Sequence, residues 1–136
     1  MRQALTAEEG MREELISAFP SVTEKEYSDA YIESHTDLMW DAPKISLLRA
    51  VPLYMLWCVE HKEDEGSLVF DNLIAALNKY ARAKDPSIEW QNFKYLCSHE
   101  QVVTVRNFLQ WCRESLMFDY DPTLSRAIKN WSAVNK

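Results

Sequence analysis

Only two glycines, Gly10 and Gly66, occur in the 136 residues. Tight turns and left-handed loop positions lean on glycine, so this shortage argues against a sheet-rich fold and against a phosphate-cradling loop. The chain also lacks a G-x-S-x-G elbow, a Walker loop and a G-x-G-x-x-G turn. Its three cysteines, Cys58, Cys97 and Cys112, form no C-x-x-C pair and sit among apolar neighbours, the pattern of buried, inert thiols in a reducing cytoplasm. The histidines His35, His61 and His99 are isolated, with no H-x-x-x-H or H-E-x-x-H pair to hold a metal, and no cofactor is expected. Long apolar runs are missing as well. The most apolar stretch, residues 50–59, is about half of the roughly twenty residues that a membrane span needs. Residues 1–10 show no basic segment followed by an apolar one, so neither a signal peptide nor a membrane association is expected, and a soluble cytoplasmic protein is.

Acidic residues are plentiful and unevenly placed. The net charge is −6; residues 1–68 carry 14 Asp+Glu against 6 Lys+Arg, and residues 69–136 carry 7 against 9. Such a chain repels a phosphate backbone, which speaks against nucleic acid. It favours a basic protein as partner, because charge complementarity steers encounter. Apolar residues make up 47% of the chain, enough to build a core at a length that fits one domain over residues 1–136.

Helical signals recur along the whole length. Thr6 with Glu9 reads as a capping box opening a helix to Ala18, with Met11, Leu15, Ala18 and Phe19 on one face. Pro20 ends it. Thr23 with Glu26 reads as a second box, opening a helix with the stripe Tyr27, Ala30 and Tyr31 that runs to Ser34. Residues 35–43 form a connection with room for one helical turn around Leu38 and Trp40. Residues 44–61 are helical, split or kinked at Pro52, and residues 53–59 are apolar on every side, as in a helix enclosed by others. Ser67 caps a helix to about Ala83. Residues 88–97 read as a short helix or a packed loop. Ser98 with Gln101 is a further box, opening the most regular stripe, Val102, Val105, Phe108, Leu109, Cys112 and Leu116. Asp121 and Pro122 start the last helix, with Leu124, Ala127, Ile128 and Trp131 facing inward. The expected fold is therefore all-α: a compact single-domain bundle of about six helices around a buried central helix.

Candidate functional residues are few. A Cys58–His61 dyad has helical spacing, but the apolar surroundings of Cys58 would quench its thiolate. His61 with Glu60, Glu63, Asp64 and Glu65 resembles a solvated charged turn more than a metal site. Among the tryptophans Trp40, Trp57, Trp90, Trp111 and Trp131, most fall on apolar helix faces and read as core. Trp40 does not, and it is the candidate for an exposed apolar contact. Together with the acidic turn of Glu60, Glu63, Asp64 and Glu65, it makes the expected partner-binding set.

Four sequence words, Val51-Pro52-Leu53-Tyr54-Met55-Leu56, Phe70-Asp71-Asn72-Leu73, Leu96-Cys97-Ser98-His99-Glu100-Gln101 and Val105-Arg106-Asn107-Phe108-Leu109, give the stretch from Leu47 to Trp131 its likeness. It resembles a family of small uncharacterised bacterial all-helical domains. The resemblance implies a bacterial cytoplasmic helical protein and carries over no catalytic residue. The functional expectation is a non-enzymatic protein-binding domain, immunity- or antitoxin-like, that presents an acidic surface to a basic protein. A small enzyme with a site assembled from dispersed residues stands as the alternative, as does a homo-oligomeric structural protein such as a homodimer.

Overall fold

The computed structural model of the chain describes residues 6–40, 45–64, 67–115 and 122–132; of residue 64 only the backbone is described. All regular structure among them is helical: α1 (Ala7–Ala18), α2 (Asp29–Ser34), α3 (Leu47–Glu60), α4 (Leu68–Arg82), α5 (Phe93–Leu96), α6 (His99–Ser115) and α7 (Pro122–Ser132), with 3₁₀ turns at Pro20–Glu24 and Lys62–Asp64. The bundle is all-α and closes around α3, as the apolar pattern implies.

Every residue of α3 from Ala50 to Val59 is buried. A helix without a polar face is stable only when other helices cover it on all sides. Here α1, α2, α4 and α5 do so. The helix is continuous through Pro52, so the chain is not split there. Proline in a helix interior removes one backbone bond and costs about 3 kcal/mol in an exposed helix. Burial of the flanking apolar side chains offsets that cost at this position.

Local capping signals account for most helix starts. The Thr6 hydroxyl accepts from the Glu9 amide and the Glu9 carboxylate accepts from the Thr6 amide. The same exchange occurs between Ser98 and Gln101, and Ser46 and Ser67 cap α3 and α4. Thr23 and Glu26 are a correction. The Thr23 hydroxyl donates to the Pro20 carbonyl at 2.9 Å, inside the 3₁₀ turn. Lys25 follows in the left-handed region at φ 47°, which no helix passes through. The cap of α2 is Ser28, whose hydroxyl accepts from the Tyr31 amide, and the residue that α2 buries is Ile32 rather than Ala30. The kink at Lys25 has a visible use. Residues two apart on a helix point to different sides, whereas here the Glu24 and Glu26 carboxylates both reach the Arg49 guanidinium.

Side-chain pairs fix the helix directions. Glu8, Glu14 and Ala18 of α1 meet Trp111, Asn107 and Gln101 of α6, an antiparallel register. Asp29 and Glu33 of α2, with the His35 carbonyl beyond it, meet His61, Trp57 and Tyr54, so α2 runs antiparallel along the second half of α3. The Trp131 indole donates to the Leu77 carbonyl at 2.8 Å and the Asn130 amide to Asn78 at 3.1 Å, so α7 and α4 finish at the same end of the bundle. Among the described residues no helix is long and apolar enough to cross a membrane.

Candidate functional site

Trp40 is the most exposed large apolar side chain described, 86% open to solvent. The turn that carries it is well braced. The Asp37 carboxylate accepts from the Met39 amide at 3.0 Å and the Trp40 amide at 3.3 Å, an Asx turn. Leu38 is buried and pins the turn to the core, so Met39 and Trp40 are thrown outward. An indole costs free energy in water, and the turn fixes the backbone that presents it there.

The acidic turn is less free than its composition implies. The Glu60 carboxylate accepts from the Arg12 side chain at 3.1 Å, and Lys62 lies 3.6 Å from Glu8, which also accepts from the Trp111 indole. Glu63 is exposed and has no ion-pair partner among the described residues. The side chain of Asp64 and all of Glu65 lie outside the described residues. Trp40 follows α2, whose direction leads away from this turn. The antiparallel register carries the chain from Asp29, at the end of α3, back toward the start of α3 before it reaches Trp40. At a 1.5 Å rise, the 14 residues of α3 span about 20 Å. Asp29, Glu33 and Asp37 lie along that path, so the acidic turn and Trp40 form the two ends of an acidic strip along α2.

His61 is committed within this strip. Its imidazole stacks on Trp57 at 4.4 Å, with Nδ1 2.8 Å from the Trp57 carbonyl and Nε2 3.4 Å from Asp29. Cys58 is buried beside it, and burial, with Cys112 nearby, holds its thiol well above the ordinary range. Burial likewise raises Cys112, and it pushes Cys97 up to about 12 despite the neighbouring Lys94. A thiol so disfavoured as thiolate is a poor nucleophile and a poor ligand.

A second surface was hidden in the sequence. Lys79, Arg82 and Lys84 at the end of α4, Gln91 in the next connection and Asn130 of α7 line an open groove of about 690 Å³. Trp90, next to Gln91, is 61% exposed, and Tyr95 and Leu96 of α5 are 50% and 40% exposed. Trp57, Trp111 and Trp131 are core residues, as their positions on apolar faces imply; Trp90 is not. Below the groove, the Lys94 ammonium donates to the Asn130 carbonyl at 3.0 Å and lies over the Trp131 ring, and burial holds its pKa down. Two buried polar atoms at this end have no hydrogen-bond partner among the described residues, the Tyr80 hydroxyl and the Asn92 carbonyl oxygen. The residues of this surface lie at positions 79–96 and 130, and only the packing of α7 on α4 unites them.

Comparison with protein-family models, with curated proteins and with solved structures returned no match.

Proposed function

We propose that this chain is a non-enzymatic protein-binding domain, immunity- or antitoxin-like, that presents an acidic strip to a basic protein. The observation that carries the reading is Trp40, held 86% exposed by the Asp37 turn at one end of the strip. Interfaces concentrate their affinity in such aromatic anchors, while carboxylates such as Asp29 and Glu63 steer the approach of a basic partner. A bacterial cytoplasmic setting belongs to the same proposal, and the free thiols suit a reducing compartment.

The test uses the chain as bait in its native host, beside Trp40→Ala and the double reversal Asp29→Lys with Glu63→Lys. The expected result is one basic protein held by the wild type. Trp40→Ala should speed its dissociation, and the double reversal should slow its association and flatten the salt dependence, with thermal stability near wild type in both. A partner retained equally by both variants, or an association rate indifferent to salt, overturns the reading.

A further inference from the structure

The end of the bundle where α4 and α7 finish is charged opposite to the rest of the chain. Residues 72–84 and 122–132 contain Lys79, Arg82, Lys84, Arg126 and Lys129 and no carboxylate, in a protein of net charge −6. None of these five cations is ion-paired among the described residues, whereas Arg12, Arg49 and Lys62 all are. Cations near helix C-termini complement the helix dipole. That accounts for Lys79, Arg82 and Lys129 individually, but not for Lys84 and Arg126; the one carboxylate of the two helices, Asp71, lies in the first turn of α4, at its other end.

The groove is as specific in its hydrogen-bonding groups as in its charge. Asn78 takes one of the two amide protons of Asn130, which leaves that side chain one N–H donor and its carbonyl oxygen, and Gln91 likewise brings both donor and acceptor. A phosphate has no use for acceptors. A polypeptide offers backbone N–H groups to them and carboxylates to the cations. Trp90, next in sequence to Gln91 of the groove, is 61% exposed and offers an apolar contact. A volume of about 690 Å³ suits a short segment rather than a folded face.

We propose that this groove binds an acidic segment of a partner polypeptide, its carboxylates on Lys79, Arg82 and Lys84, its backbone on Gln91 and Asn130, and an apolar side chain on Trp90. The site has the opposite sign to the acidic strip. The experiment is fluorescence anisotropy with a short labelled peptide of alternating glutamate and leucine, set against its lysine-for-glutamate counterpart and a labelled oligothymidylate. The acidic peptide should bind, more weakly as salt rises, and the other two should not. The triple neutralisation Lys79→Gln, Arg82→Gln and Lys84→Gln, which keeps side-chain length and fold, should weaken binding about tenfold. Trp90→Ala should weaken it a few-fold and leave the salt dependence intact. Trp40→Ala and Glu63→Lys should leave peptide affinity unchanged, so this site and the acidic strip fail separately. Three results overturn the proposal: peptide affinity indifferent to the triple neutralisation, tighter binding of the oligothymidylate, or self-association of the chain that the triple neutralisation abolishes, which would make a second copy the occupant.

Discussion

Where α1 begins and α3 finishes, long-range polar pairs tie much of the surface together, though Glu63 has no ion-pair partner among the described residues. Arg12 meets Glu60, Lys62 meets Glu8, and the Trp111 indole finds Glu8 as well. Where α4 and α7 finish, Lys79, Arg82 and Lys84 have no partner among the described residues, and the Tyr80 hydroxyl and Asn92 carbonyl oxygen are buried without one. Buried polar groups are nearly always hydrogen-bonded, and each exception calls for a reason. Two such exceptions among the described residues fall at the end of the bundle that also carries three unpaired cations.

The contrast holds only if the open end is as firmly built as the closed one. Trp131 is 1% exposed, packs on Phe93 and bonds the Leu77 carbonyl, so Trp131→Ala should cost about 3–5 kcal/mol, comparable to the 2–5 kcal/mol expected for Leu56→Ala in α3. Urea denaturation of both variants checks this; a Trp131 loss below about 1 kcal/mol would mean that the open end is loosely packed rather than unsatisfied. Tyr80→Phe sharpens the point. It removes a hydroxyl that is buried, unbonded and held in the neutral form by burial and by the nearby Asp37 charge. The variant should be more stable by about 1 kcal/mol, visible as a raised midpoint, and a destabilised variant would show that the hydroxyl is satisfied. The smallest effect separates the surfaces. Arg12→Gln should cost up to about 0.5–1 kcal/mol at low salt and less at high salt, while Arg82→Gln should stay within about 0.5 kcal/mol of wild type at either.

Helix starts were legible because capping is local: Thr6 reaches Glu9, and Ser98 reaches Gln101, three residues on. The buried middle of α3 was legible because an apolar run leaves only one environment. Thr23 and Glu26 have the right spacing for the same exchange, yet Lys25 between them turns left-handed so that both glutamates serve Arg49, 25 residues from Glu24. Composition identified Trp40 as an outlier, but its separation from Glu60 follows from the direction of α2, which short-range patterns do not encode. The pairing of Glu60 with Arg12 bridges 48 residues. Trp90 looked like core because exposure of an aromatic in an irregular segment depends on what packs over it, and here nothing described does.

Gln101 joins two helix ends with one amide. Its oxygen accepts from the Ser98 amide at the start of α6, and its nitrogen donates at 2.9 Å to the Ala18 carbonyl at the end of α1, 83 residues away. Helix ends ordinarily fray independently, each at small free-energy cost. Here one hydrogen bond ties them: unwinding the last turn of α1 takes the Ala18 acceptor away from the Gln101 amide, and unwinding the first turn of α6 takes the Gln101 donor away from the Ala18 carbonyl. Fraying at either end therefore costs the other a hydrogen bond of about 1 kcal/mol, which couples the end of the first helix to the start of the sixth across 83 residues of chain.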